Sequence, residues 1–277
     1  VKKDLARALT VGDFFDETIA GEKIENGHLH PITQFIRKVS EVFMAMGFEI
    51  CDGPEVELQK YNFDLLNIPR DHPARDLQDT FYLKVKSQKS KVKNKETIDE
   101  NNLVLRTHTS PVQLRAMLER QPPVRLIAPG RVYRYEATDA SHEAMFYQCE
   151  GLVIDQGIKI TDLIGTLDTT LKALFGAKTK IRVRPHYFPY TEPSLEVDMS
   201  CLICGQKGCS VCKKTGWLEM LGSGMVHPNV LKNMGAPHPK YTGFAFGWGL
   251  DRMMMLYHGV NDIRLSYSGD LRFLRQF

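Results

Sequence analysis

Three stretches of the 277-residue sequence carry side chains spaced for chemistry. The first, CLICGQKGCSVC, sets Cys201, Cys204, Cys209 and Cys212 in two Cys-x-x-Cys steps. Each step turns two sulfurs toward one point, and four thiolates around one point suit a tetrahedral metal ion. Gly205 and Gly208, with Gly216 after them, supply positions where such turns take up positive φ. Zinc is the expected ion; an iron–sulfur centre and unliganded thiols are the alternatives. With four protein sulfurs no coordination position stays open, so the expected role is structural, in a small knuckle over residues 201–216.

The second stretch, GRVYRYEATDASHEAMFYQCEGLVI from Gly130 to Ile154, reads as two strands joined by the loop TDASHEAM. Alternation puts Val132, Arg134 and Glu136 on one face and Arg131, Tyr133 and Tyr135 on the other. On the next strand Gln148 and Glu150 share a face, with Tyr147 and Cys149 opposite. Such a charged face needs partners, solvent or a ligand; an ordinary salt-bridged sheet surface is the plain alternative. The third stretch, GFAFGWGLDRMMMLYHG, runs from Gly243 to Gly259. Its glycines open into a helix, Leu250 to His258, with Arg252 in the first turn. Backbone N–H groups and the helix dipole there suit an anion, and an Arg that opposes the dipole calls for a negative partner such as a phosphate. The spacing matches neither a P-loop nor a dinucleotide fingerprint. Arg134 and Arg252 together point to a triphosphate site.

These groups must be held by regular elements. Ile32, Phe35, Ile36, Val39, Val42, Phe43 and Met46 recur at helical spacing, so a helix is expected from Pro31 to Met46, closed by Gly47. A strand FEIC follows, ending in a turn at Gly53 and Pro54. Ser-Pro-Val-Gln at 110–113 predicts a second helix with a capping box in which Gln113 reaches back. A further helix is expected near Asp162 to Phe175, among strands of period two. Long helices and antiparallel strands without a βαβ rhythm indicate an α+β domain. The lysine-rich run from Lys84 to Glu96 lies between two strand-like segments, DTFYL and NNLVLRT. A solvated hairpin loop is expected there, with nucleic-acid contact as the alternative. Met253, Met254, Met255 and Cys149 are expected in the core.

A net charge of +3 is too small to mark a nucleic-acid binder and excludes an acidic disordered chain. The clustering of cysteines, with Cys51 and Cys149 alone, is not that of a disulfide-stapled secreted domain. No signal peptide or membrane-spanning run is present. A soluble cytoplasmic protein is expected, and Val1 in place of Met suggests a piece of a longer chain.

The Arg-x-Glu hairpin resembles motif 2 of class II aminoacyl-tRNA synthetases, and GWGLDR resembles their motif 3. The likeness is closer to the α subunits of bacterial phenylalanyl-tRNA synthetases. It is carried by HPITQFIRKV, YNFDLLNIPRDHPARDLQDTFY, LRTHTSPVQLR, PGRVYRYEATDASHEAMFYQCEG, YFPYTEPS, GSGMVHPNVL, GFAFGWGLDR and DLRFLRQF, which span nearly the whole chain. The resemblance implies an antiparallel sheet flanked by helices, one catalytic domain over 1–277 without the family's N-terminal coiled-coil arm, and an inserted four-cysteine zinc knuckle. It implies ATP-dependent activation of L-phenylalanine and transfer to tRNA(Phe). The implied assembly is an α2β2 heterotetramer with a β subunit. The end at Phe277 is expected to exclude the single-chain organelle form.

By the same resemblance Arg134 would hold the ATP α-phosphate, Glu136 the adenine amino group, and Phe146 would stack on the base. His142 would meet the outer phosphates and Arg252 the γ-phosphate. His108, Ser110, Gln113, Gln148 and Glu150 would surround the amino acid's ammonium and carboxylate. Phe188, Tyr190 and Ala245 would wall its side chain, and Glu192 would bind Mg2+ near the partner subunit. Pro54 belongs to motif 1, usually at a subunit interface. Asp251 departs from the family's usual Glu, and Tyr190 from the more usual Phe. Plain alternatives stand beside these roles: Ser110 and Gln113 as helix caps, His142 as a solvated loop residue. An O-phosphoseryl-tRNA synthetase relative and a non-catalytic RNA-binding zinc module are the rival readings. The apolar wall opposes the first, and the arginine clamp opposes the second.

Overall fold

Ile32, Phe35, Val39 and Phe43 are buried along one side of helix α1 (Pro31–Ala45), as a 3.6-residue period requires. Pro31 sits in the first turn, where its missing N–H costs nothing, and His30 Nδ1 accepts the N–H of Ile32 at 3.2 Å. Gly47 closes the helix at φ 82, a conformation that disfavours any residue with a Cβ. The structure, a computed structural model, describes Thr18, Gly21 and residues 27–76, 79–83 and 103–277. The lysine-rich run lies outside the described residues. The segments flanking it are strands, as expected: β3 (Tyr82–Leu83) pairs antiparallel with β4 (Leu103–Leu105).

After α1 the chain forms β1 (Glu49–Ile50), shorter than FEIC, and β2 (Val56–Leu58), then the single-turn helix α2 (Gln59–Asn62). Beyond β4 come α3 (Ser110–Glu119), β5 (Val124–Tyr133), β6 (Met145–Asp155) and α4 (Ile160–Phe175). Then follow β7 (Ile181–Phe188), β8 (Thr191–Ser200), β9 (Trp217–Val226), α5 (Pro228–Asn233), β10 (Thr242–Gly249) and α6 (Leu250–His258). Two short helices, α7 (Arg264–Tyr267) and α8 (Leu271–Leu274), complete the described chain. Seven strands make one sheet in the order β1-β5-β6-β10-β9-β8-β7, and β2-β4-β3 make a second. Within the large sheet only β1 and β5 run parallel. The expected α+β class, an antiparallel sheet flanked by helices, is what forms.

One face of the large sheet is closed by apolar packing. Phe244, Phe246 and Trp248 of β10 meet α1, the leucines of α4 at 163, 167, 171 and 174, and Met253 and Met254 of α6. Phe43 stacks on Phe246 with centroids 5.4 Å apart. Gly151 permits this layer, because a Cβ there would lie 2.0 Å from Phe246 Cζ. Each large side chain buried this way contributes about 1.5–3 kcal/mol. The opposite face is covered at one end by α3 and α5, through Val112, Leu114, Met117, Val230 and Leu231. Functional side chains gather on the rest of that face.

Two local expectations change. Ser110 lies inside α3, with Thr109 at the cap and no side-chain cap bond, so the capping box does not form. Both Ser110 and Gln113 turn instead to Glu150, across the helix–sheet boundary. The hairpin pairs from Val124↔Ile154 to Tyr133↔Met145, so its loop covers 134–144 and is longer than the expected eight residues. Arg134 and Glu136 therefore stand just past the strand. No helix among the described residues is long and apolar enough to cross a membrane.

Candidate active site

Register alone lays out the uncovered face. Glu150 of β6 pairs with Gly247 of β10, which pairs with Gly222 of β9, then Glu196 of β8 and Arg184 of β7. Partners across antiparallel strands point the same way, so this row crosses one face. Its second and third members are glycines, and the floor there is bare backbone. A Cβ on Gly247 would stand 2.9 Å from Glu150 Cγ, and one on Gly222 would stand 2.6 Å from Phe188 Cζ. Glycine at these positions lets Glu150 and Phe188 lie down over the sheet.

A cavity of about 230 Å³ opens over this floor. At one end Glu150 is buried, accepting the Thr109 N–H at 3.2 Å, the Ser110 hydroxyl, and Gln113 Nε2 at 3.4 Å. Burial pushes its carboxyl up from 4.5 to about 7, against the hydrogen bonds from Ser110 and Thr109 that favour the charged form. His108 lies alongside with neither ring nitrogen partnered, and Gln148 Oε1 is likewise buried without a partner. Burial first, then the positive charge of Arg134, lowers His108 to about 3, so the ring is neutral at pH 7. Buried polar atoms left open at one place mark where a polar ligand group fits. At the other end Phe188, Tyr190, Ala245, Val226, Val230 and Met234 make an apolar wall. The Phe188 and Tyr190 rings stack at 5.6 Å. The Tyr190 hydroxyl has no hydrogen-bond partner among the described residues, and burial pushes its titration up.

Arg134 lines the same cavity. Its Nε donates to the Thr107 carbonyl at 3.2 Å and its guanidinium lies 5.1 Å from the Phe146 ring centre. Among the described residues it has no salt-bridge partner, and its charge faces the cavity, where it acts on the Glu150 carboxyl. Glu136 is exposed on the hairpin loop. His142 is exposed too, with Nδ1 3.0 Å from Asp139, whose carboxyl this contact holds well below the usual range. Glu192, at the start of β8, is exposed and outside the cavity. Cys149 is fully buried and burial pushes its thiol up, which suits packing and not nucleophilic chemistry.

Arg252 lines a second cavity, of about 410 Å³, on the same face. Asp251 beside it is buried and accepts the Tyr147 N–H and the Tyr267 hydroxyl, both at 2.5 Å, which pins α6 to β6 and α7. The second cavity also holds Arg182, Arg184, Asp198 and Glu219, residues to which sequence analysis gives no role. Arg182 and Arg184 both contact Asp198, at 2.6 and 2.8 Å. Burial alone would raise that carboxyl; the two guanidiniums outweigh it and hold it low. The signal in the sequence is period-two charge, Arg-Val-Arg against Glu-Val-Asp, which register joins only once the strands are paired.

The four cysteines of 201–212 converge as expected. Cys201 and Cys209 sulfurs are 3.8 Å apart, as are those of Cys204 and Cys212, and all four lie within 4.8 Å of one another. Tetrahedral thiolates at about 2.3 Å from zinc stand about 3.8 Å from each other. Backbone N–H groups of Cys209 and Gly216 point at Cys212 Sγ, from 3.1 and 3.3 Å, which favours thiolate there.

Residues 14–277 match the family described as tRNA synthetases class II core domain (F). The phenylalanine--tRNA ligase alpha subunit of Caldicellulosiruptor saccharolyticus is 51% identical over 262 residues, 95% of this chain and 72% of that protein. That of Caldanaerobacter subterraneus subsp. tengcongensis is 51% identical over 265 residues, 96% of this chain and 74% of its own. That of Acetivibrio thermocellus is 50% identical over 277 residues, 100% of this chain and 77% of its own. Among solved structures, pyrrolysyl-tRNA synthetase from Desulfitobacterium hafniense aligns with a TM-score of 0.63 at 16% identity, over 99% of this chain and 80% of that one. At that identity the likeness is one of fold.

Proposed function

The chain belongs to the class II tRNA synthetase core family and, within it, to the phenylalanine--tRNA ligase alpha subunits, and from that membership we propose how its two cavities divide the work. Its activity is the ATP-dependent charging of tRNA with phenylalanine. The first cavity takes the amino acid: Glu150, with Gln148, Ser110 and Gln113 around it, receives the ammonium group. His108 and Arg134 face the carboxylate, and Phe188, Tyr190 and Ala245 enclose the benzyl group. The observation that carries this reading is the open polar ring of His108 and Gln148 beside a buried carboxylate, facing an apolar wall. That wall offers a phosphoserine side chain no cation, so the O-phosphoseryl reading gains nothing from it.

Arg134 then stands where the substrate carboxylate meets the α-phosphate. A carboxylate oxygen attacks the α-phosphorus, the bond to the bridging oxygen breaks, and pyrophosphate leaves with the charge it has gathered. Fixed cations such as Arg134 and Arg252 stabilise that charge with little reorganisation. Phe146 offers a face for adenine, Glu136 its amino group, and His142 the outer phosphates. In the second step a terminal ribose hydroxyl of the tRNA attacks the activated carbonyl carbon and AMP leaves. Class II synthetases work with ATP and Mg2+, and an ion bound here would supply positive charge to the phosphates. The exposed Glu192 has no ion-pair partner among the described residues and suits such an ion.

Residues 1–277 serve as one catalytic domain carrying the knuckle of 201–216, and zinc fits its four sulfurs. About one zinc per chain is expected by elemental analysis, and Cys204→Ser is expected to lose it and to lower the melting temperature by several degrees. Retention of full zinc by that variant would contradict the ligand set. The family name implies a partner subunit and a tRNA. We assign a cytoplasmic location and an α2β2 heterotetramer, the assembly being supported by exposed Met44, Ile50 and Val56 around the edge strand β1 and the Pro54 turn.

Gly222→Ala is expected to drive the Phe188 ring into the cavity and raise the KM for phenylalanine roughly tenfold, with the KM for ATP unchanged. Equal changes in both would mean that the sheet itself had shifted. The test of the whole reading is aminoacylation. The chain with its partner subunit should attach phenylalanine to tRNA(Phe), and failure of a folded complex to do so overturns it.

A further inference from the structure

The four-cysteine knuckle is not remote from the second cavity: Cys212, Lys213 and Thr215 line it together with Arg252 of α6. The turn that carries Lys213 is tightly built. Lys213 and Lys214 take φ 49 and φ 63, two consecutive left-handed residues that are not glycine. Such strain persists only where the surroundings over-determine it, and it gathers at functional sites. Here the surroundings are visible. Lys213 N–H donates to the Ser210 carbonyl at 3.1 Å, Lys214 N–H to that of Cys209 at 2.8 Å, and Thr215 Oγ1 to that of Cys212 at 2.7 Å. Gly208 packs so close that a Cβ on it would lie 2.8 Å from the Lys214 oxygen.

The charges of the cavity divide in two. Arg182 and Arg184 are neutralised by Asp198, with Glu196 and Glu219 beside them. Arg252 and Lys213 have no carboxylate partner among the described residues. Two unneutralised cations brought to one cavity by different elements form a clamp for a polyanion. We propose that Lys213 is an ATP-binding residue, held by the knuckle so that its ammonium group contacts the outer phosphates together with Arg252. The knuckle is then part of the nucleotide site as well as a structural insert. This rests on the placement of Arg252 at the outer phosphates.

The test uses the chain purified with its partner subunit, comparing wild type, Lys213→Ala, Lys213→Arg and Lys214→Ala. ATP affinity is read by calorimetry, and KM values for ATP and phenylalanine by pyrophosphate exchange. Lys213→Ala should weaken ATP binding roughly fivefold, the scale of one partly exposed charge-assisted contact. The KM for phenylalanine and the zinc content should stay at wild-type values. Lys213→Arg should restore affinity, and Lys214→Ala, which removes the same charge from outside the cavity wall, should leave it unchanged. Unchanged ATP affinity in Lys213→Ala overturns the proposal, as does an equal loss in Lys214→Ala, which would mark a general field effect. Calorimetry reports on Lys213 even if no amino acid supports exchange, an outcome that would count against the functional reading alone.

Discussion

Replacing Arg134 with alanine is expected to lower phenylalanine-dependent ATP–pyrophosphate exchange by about 10³-fold, the scale of removing a fixed cation from a phosphoryl transition state. Among the described residues Arg134 is the only cation lining the first cavity. Its side-chain hydrogen bond to the Thr107 carbonyl and its contact with Phe146 do not neutralise it. The loss should fall mainly on the rate of adenylate formation. The His108 ring should titrate higher in the variant, because the positive charge that helps hold it neutral has gone. Single-turnover rates and a histidine titration by NMR check the two effects separately. A variant that activates phenylalanine at more than a tenth of the wild-type rate would remove Arg134 from the reaction.

Glu150→Gln should produce the second large effect, weakening phenylalanine binding by about 10²- to 10³-fold through an unpaired ammonium group. The pH dependence gives this prediction a signature. Burial holds the Glu150 carboxyl near 7 in the empty site, and only its ionised form can pair with an ammonium. In wild type the affinity for phenylalanine should therefore fall as pH drops through 7 and level off above it. Glu150→Gln should show no such step. Stability runs the other way. A carboxyl whose folded value is raised contributes stability that is complete below its unfolded value, near 4.5, and is lost as pH rises through about 7. Empty Glu150→Gln enzyme should thus be more stable than wild type above pH 7 while binding its substrate worse. Melting curves and calorimetry across pH 5.5 to about 8.5 measure both trends. A parallel fall in stability and affinity would mean that Glu150 is a structural residue.

Much of the architecture was legible because it depends on short-range periodicity. The α1 helix follows from the spacing of Ile32, Phe35, Val39 and Phe43, and the turn from β10 into α6 follows from glycines running into Leu250. The knuckle was equally plain, since two Cys-x-x-Cys steps specify their own geometry. Other features depend on contacts distant in sequence. The Ser-Pro-Val-Gln segment satisfies a local capping pattern, yet Glu150, on another element, draws both polar side chains away from it. β1 falls short of its apolar pattern because it lies at the sheet edge, with β5 as its only neighbour among the described strands. Arg106 is buried and bonds the carbonyls of Arg131 and Gly53, tying the Pro54 turn to β5, and nothing near it in sequence announces that role. The second cavity needed three strand registers before its charges could be seen as one group.

The most direct test of the central claim is ATP–pyrophosphate exchange with each of the twenty amino acids and phosphoserine in turn, using the chain purified with its partner subunit. Phenylalanine alone should drive exchange, because the cavity joins a buried carboxylate to an apolar wall beside an arginine with no ion-pair partner among the described residues. Exchange driven by phosphoserine, or none from a folded complex that still binds tRNA, would contradict the account.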